Sequence, residues 1–217
     1  RLAMLDKSPP GPLKAYLSRP FPAKTQRVQD TEFLALDFET TGLDARNEAI
    51  LSAGWVLVRH NRVVLRHSQH HLVQVNKPIP KKSVVVHKIT DDRAREGMHL
   101  HNLLEILLPL MAGRVLLVHF QKIERSFLGA ACEQVYGLRP PLLFADTMLV
   151  EKKRMERRQE EIMPNQLRLF NLREQYGLPR YNAHSALEDA IGTAELFLAQ
   201  VETMAGGKPV KLGEVLA

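Results

Sequence analysis

Residues 33–44 read Phe-Leu-Ala-Leu-Asp-Phe-Glu-Thr-Thr-Gly-Leu-Asp, an apolar run that ends on two carboxylates two positions apart. Such a run is a strand, and the side chains of a strand alternate between its faces. Leu34, Leu36 and Phe38 therefore share one face, and Ala35, Asp37 and Glu39 share the other. The first set must be buried, which leaves two like charges together on the second. Each raises the other's pKa unless a cation lies between them. A divalent cation with oxygen ligands resolves that conflict. Taken alone, the run also fits a strand end entering the polar turn Thr40-Thr41-Gly42.

The pattern stays regular beyond this strand. Ile50–Arg59 and Arg62–Val75 alternate as strands around His60-Asn61, which predicts an antiparallel hairpin. Pro78 and Pro80 close that region, and Leu100–Met111 reads as a helix stopped near Gly113, with Pro109 in its last turn. Val115–His119 is a short apolar strand of the kind buried on both faces. A helix over 121–136 ends at Gly137, a strand over 142–145 leads to Asp146-Thr147, and helices are expected near 148–162, 166–176 and 183–204. The order β-β-β-α-β-α-β-α-α-α predicts an α/β fold. Its central sheet is mixed, antiparallel in front and parallel behind, with flanking helices.

Composition narrows the setting. The chain has 217 residues, enough for one sizeable core. Its single cysteine, Cys132, excludes an internal disulfide and a cysteine-rich zinc site, and points to a reducing compartment, the cytoplasm. No apolar run reaches the roughly 18 residues of a membrane span, so no membrane partner is expected. The net charge of +6 favours a polyanionic partner weakly, because it is not gathered into one run. Residues 1–30 hold five prolines and six basic against two acidic residues, and read as an arm or linker, draped over the domain or disordered. Glu151–Glu161 mixes both signs of charge and reads as a solvated helix, or as a mobile basic lid. His67, His70 and His71 do not share one strand face and have no acid or cysteine beside them, so a zinc site is rejected there.

Two more acids stand out. On a helix of ~3.6 residues per turn, Ile123, Phe127, Ala131, Val135, Leu128 and Cys132 form one apolar stripe, with Glu124 in its middle. A carboxylate there is costly unless it is paired with a cationic side chain or bound to a metal. Asp189 flanks the apolar face of the last helix, and His184 lies about 140° around from it at the helix start. Singly, Asp189 reads as a surface acid and His184 as a capping-region residue. Together they converge only over the first turns of that helix.

Three segments in this order resemble the DEDDh family of 3′–5′ exonucleases, typified by the proofreading epsilon subunit of bacterial DNA polymerase III. LALDFETTGL is similar to the first motif, with Asp37 and Glu39. LVHFQKIERSFL (117–128) is similar to the second, in which a His precedes the acid by five residues. AHSALEDA (183–190) is similar to the third, with His184 and Asp189. The resemblance spans about 32–202, with His87-Lys88-Ile89-Thr90 and Asp146-Thr147 as lesser echoes. Two positions depart from it: Glu124 stands where the family carries Asp, and Phe120 where it carries Asn.

The resemblance implies a ribonuclease H-like fold, with an exonuclease domain over 31–204 and a C-terminal tail over 205–217. It implies two divalent ions, Mg²⁺ or Mn²⁺, with Asp37 bridging them. Glu39 and Asp189 complete the first site, and Glu124 helps position the second ion. His184 is then the general base, Thr40, Thr41, Gly42 and Leu43 contact the terminal nucleotide, and His87 lines the same groove. The implied partner is nucleic acid with a free 3′ end, single-stranded DNA before RNA, and a DNA polymerase subunit is a candidate partner. Two alternatives stay open: an RNA-trimming enzyme of the same family, and a non-catalytic module that binds a polymerase or nucleic acid.

Overall fold

The structure is a computed structural model that describes residues 1–181 and 185–217. Five strands form one mixed sheet in the order β3-β2-β1-β4-β5. They are β1 (Phe33–Thr40), β2 (Ile50–Arg59), β3 (Arg62–Leu72), β4 (Val115–Val118) and β5 (Phe144–Asp146). The first three are antiparallel neighbours, with β2 and β3 joined at His60-Asn61, where both residues have positive φ. β4 and β5 run parallel to β1. The mixed sheet expected from the pattern is the sheet observed.

The period-two alternation of β1 sorts its side chains into two cores. Leu34, Leu36 and Phe38 join one cluster with Leu103, Leu107 and Phe127, under α5 (Leu100–Met111) and α6 (Lys122–Tyr136). Phe33 and Ala35 join the opposite cluster with Val56, Ala194 and Phe197, under α9 (Ala186–Ala205). Asp37 and Glu39 continue this second face, at the end where α9 begins.

Residues 1–30 are folded onto the domain. Helix α1 (Leu2–Lys7) leads to α2 (Pro12–Ser18), and Leu13, Tyr16 and Leu17 are buried in the first core. Tyr16 donates its hydroxyl proton to the Pro141 carbonyl at 2.6 Å. Two short helices, α3 (Lys81–His87) and α4 (Asp91–Arg95), occupy the stretch after Pro80 that periodicity left unassigned. Each is too short to show a helical stripe. The charged run after β5 forms α7 (Thr147–Arg157), which ends before Glu161 and buries Glu151 and Met155. Glu151 is satisfied by Arg154, by the Tyr176 hydroxyl at 2.7 Å and by Gln200. Helix α8 (Leu169–Gln175) is tied to α9 by the buried Arg173, which donates to Gly192 O at 2.7 Å and to Glu195 at 2.9 Å.

The last residues complete the far edge of the sheet. Leu216 bridges Ala145 on β5, and Ala217 N–H donates to Phe144 O at 3.0 Å. Val210, Leu212, Val215 and Leu216, around α10 (Leu212–Val215), are buried in the second core. At ~1.5 kcal/mol or more per buried aliphatic side chain, that segment contributes on the order of 6 kcal/mol. Deleting residues 210–217 should therefore lower the melting temperature by more than ~10 °C, read by circular dichroism. A shift of a degree or two would show that the segment only rests on the surface.

Candidate active site

The site forms where strand, turn and helix ends meet at one end of the sheet. One ligand oxygen from each of Asp37, Glu39 and Asp189 lies within 4.8 Å of the others. Asp37 and Asp189 are half-buried and Glu39 is buried. Asp37 and Glu39 arrive together because they are alternate residues of β1. Asp189 arrives from α9 through Gly54, which pairs with Asp37 across β1 and β2. A Cβ on Gly54 would stand 2.2 Å from Leu187 N and 2.3 Å from Ala186 C. The absent side chain lets the first turn of α9 rest on the strand, which brings Asp189 beside Asp37. Sequence reasoning overlooked Gly54, although a glycine inside an apolar strand signals close backbone approach.

Glu124 stands next to this trio rather than within its ligand cluster. It lies in the first turn of α6 and is 2% exposed. Burial, then the charges of Asp146 and Glu39, push its carboxyl up to about 8. Asp37 is driven well above the usual carboxylate range by burial first, then by Glu124, Asp189 and Glu39. Glu124 thus faces Asp37 closely enough to repel it, and no arginine or lysine staple holds it in the described residues. Glu39 Oε1 and Glu124 Oε2 are buried with no hydrogen-bond partner among the described residues. Buried, unpartnered carboxylate oxygens facing like charges fit hard divalent cations, which take oxygen ligands.

The surrounding turn is held by its own hydroxyls. Thr40 Oγ1 donates to Gly42 O at 2.7 Å. Thr41 Oγ1 accepts from Ala49 N–H at 2.9 Å and bonds Glu48, while Ser83 Oγ donates to Thr41 O at 2.9 Å. Gly42 leaves room for the Glu48 side chain, which a Cβ would meet at 2.9 Å. Leu43, 80% exposed, crowns the turn. His87, at the end of α3, has Nδ1 2.5 Å from Glu39 Oε2. Leu43, Thr40, Lys82, Val86, His87 and Ile123 line an open groove of about 470 Å³ that runs up to Glu39. His184 lies outside the described residues.

The acid-bearing end of α6 is fixed by groups with structural roles. Asp146, 1% exposed, caps α7 by accepting from Met148 N–H at 2.9 Å and Leu149 N–H at 3.4 Å. It also accepts from Phe120 N–H at 3.0 Å and Gln121 N–H at 2.8 Å. His119 Nε2–H donates to Leu167 O at 3.0 Å, which leaves Nδ1 to accept from Thr147 Oγ1 at 2.8 Å. Burial lowers its pKa to about 4, so this imidazole is neutral. The motif histidine before Glu124 therefore ties β4 to the loop ahead of α8.

The acids give the metal-free protein a defined pH response. Glu124 has a folded pKa raised above its unfolded value, so its contribution is fully present below about 4.5 and is lost as pH rises through about 8. Buried neutral His119 works oppositely, losing stability as pH falls from about 6.5 towards 4. Above pH 6.5 only the carboxylate effect remains of these two. The melting temperature in EDTA should fall between pH 6.5 and 8, and Glu124→Gln should flatten that fall. Scanning fluorimetry reads both, and a parent protein with no slope in that window would count against the acidic cluster.

Comparison with known proteins places the chain in a family. The RNase_T model, described as exonuclease, matches residues 34–197. The chain belongs to this exonuclease family. It is 28% identical over 186 residues to the DNA polymerase III PolC-type of Thermotoga maritima, covering 86% of this chain and 13% of that one. It is 29% identical over 173 residues to the DNA polymerase III subunit epsilon of Treponema pallidum, covering 78% of this chain and 76% of that one. The chain thus spans about an eighth of the PolC-type relative. A solved structure described as the nuclease domain of 3'hExo, a DEDDh family member bound to rAMP, superposes with a TM-score of 0.69 at 15% identity, over 85% of this chain and 98% of that one. That likeness matches the ribonuclease H-like fold expected from the sequence. No helix of the described residues is long and apolar enough to cross a membrane.

Proposed function

We propose that this protein is a metal-dependent 3′–5′ exonuclease that hydrolyses phosphodiester bonds at the 3′ end of nucleic acid, with single-stranded DNA as its substrate, in the cytoplasm. The observation that carries this reading is the meeting of Asp37, Glu39 and Asp189 within 4.8 Å, beside a buried Glu124. In this reading Asp37, Glu39, Asp189 and Glu124 would hold two divalent ions, Mg²⁺ or Mn²⁺. The chemistry supplied by such a pair is a more acidic attacking water and compensation of the charge on the leaving 3′ oxygen. Glu39 is kept in orientation by His87 through Oε2, and its buried Oε1 has no hydrogen-bond partner among the described residues. Thr40, Thr41 and Gly42 shape the turn against which the terminal nucleotide lies, and Leu43 wedges its base. His184 takes the proton from the attacking water, a role within reach of an imidazole near neutral pH. Residues 31–204 form the unit that carries this chemistry.

The names of two relatives, a PolC-type polymerase and an epsilon subunit of DNA polymerase III, support DNA as substrate and a polymerase subunit as partner. A 5′-labelled single strand incubated with the protein and Mg²⁺ should shorten stepwise from its 3′ end, and EDTA should stop the ladder. An intact strand in Mg²⁺ and in Mn²⁺, for DNA and for RNA alike, would overturn the assignment and leave a binding module.

A further inference from the structure

Phe120 is placed as no core residue would be. It has φ +76°, in the left-handed region that favours glycine and that bulky side chains rarely enter. The other non-glycine residues with positive φ among those described are His60, Asn61, Lys88, Gln159 and Asn165, all polar. Phe120 alone there is apolar, and its side chain is 41% exposed. Partial burial offsets the strain of its backbone less than full burial in a core would. The conformation is imposed from below: the buried carboxylate of Asp146 accepts from Phe120 N–H and Gln121 N–H while it caps α7. Asn, which the resembled family carries at this position, enters the left-handed region far more readily.

Its location gives the exposed ring a use. β1 and β4 run parallel with Ala35 opposite Leu117, so counting on along both chains brings Phe38 and Phe120 to the same end of the sheet as Asp37 and Glu39. In sheet order β4 and the turn to β2 lie on opposite sides of β1, which puts the backbone of Phe120 and that of Leu43 on the two sides of the strand that carries the carboxylates, with Phe120 just outside the groove lining. Ile123, which lines the groove, donates its N–H to Phe120 O at 3.3 Å. Lys122, exposed on the same turn, offers a cation for a phosphate. We propose that Phe120 is a stacking platform for one nucleobase of the strand entering the site, a sequence-tolerant contact suited to unpaired nucleic acid. This inference rests on the nucleic-acid reading of the groove. It makes Phe120 a binding residue on the side opposite Leu43.

Binding without turnover tests it. The probe is a fluorescent twelve-residue oligothymidylate with phosphorothioate linkages at its 3′ end, titrated in Mg²⁺ and followed by anisotropy. A second series replaces each of the last four nucleotides in turn by an abasic one. Phe120→Gly, which relieves the strained φ, should melt no lower than the parent yet bind roughly tenfold more weakly. Phe120→Trp should bind as the parent does. An abasic substitution at one position should weaken the parent by about that same factor and leave Phe120→Gly unaffected. Parent-like binding by Phe120→Gly, identical abasic penalties in both proteins, or no binding by the parent would each overturn the platform. Phe120-dependent binding together with an uncut ordinary strand would instead keep the platform and remove the nuclease.

Discussion

Asp37→Ala should reduce 3′-end shortening by at least ~10³-fold while leaving the metal-free melting temperature equal to or above that of the parent. A factor of a thousand corresponds to about 4 kcal/mol of barrier, the scale of loss that the proposed role of Asp37 as a ligand common to two ions requires. Asp37 is the centre of the cluster: Glu124, Asp189 and Glu39 all drive its carboxyl upward. Removing it takes one repelling charge from three neighbours, and nothing in the described residues pairs it with a cation. A residue kept for folding would show the reverse, losing stability first and activity only as a consequence. The decisive comparison is therefore the cleavage rate against the melting temperature in EDTA. Retention of activity within tenfold of the parent would remove Asp37 from the chemistry. A large fall in melting temperature with the rate lost in proportion would make it structural.

Gly54→Ala is the second large effect, and it acts without touching substrate. The added methyl meets Leu187 N at 2.2 Å, Ala186 C at 2.3 Å and Leu187 Cα at 2.5 Å. These are backbone atoms of a 20-residue helix, so no side chain can swing aside. Either α9 lifts from β2 or the strand bends away from it. Overpacking of this kind costs ~1–3 kcal/mol or more. The larger consequence is for Asp189, one turn into the same helix. A misplacement of about 1 Å at a reacting centre can cost ~10²-fold in rate. The expected result is a folded but less stable protein with at least ~10²-fold lower activity and weakened Mn²⁺ binding by calorimetry. Gly129→Ala in α6 is the control, because its Cβ would come no closer than 3.7 Å to the Arg139 side chain. That variant should match the parent. Full activity in Gly54→Ala would show that the site tolerates displacement of α9.

Much of this fold was legible because its elements have clear periods. The alternation of β1 predicts its two faces, and both cores form on them as that alternation requires. The hairpin around His60-Asn61, the helix over Leu100–Met111 and the glycine cap of α6 at Gly137 follow from local chemistry. Other elements were not legible. α3 and α4 span 7 and 5 residues, too few to express a helical face, and so His87 could not be brought to Glu39 from pattern alone. The stretch after Gly206 has no period either, and its burial follows from an open sheet edge at β5 that it covers.

The candidate site divides along the same physical line. Neighbouring charges on one strand are a local fact, so Asp37 and Glu39 were evident as a pair from residue order, as was the misfit of an acid within the apolar stripe of α6. Distances between remote segments depend on how closely helices settle on the sheet. Asp189 looked like a flanking acid until the bare backbone of Gly54 allowed α9 to sit against β2. Phe120 looked like a mere departure from a motif until the clamp from Asp146, 26 residues further on, gave it a strained and exposed pose. Residue order carries the chemistry of each group, because side-chain charge and strand alternation are local. Convergence of those groups belongs to packing, because only contact between elements sets the space in which they meet.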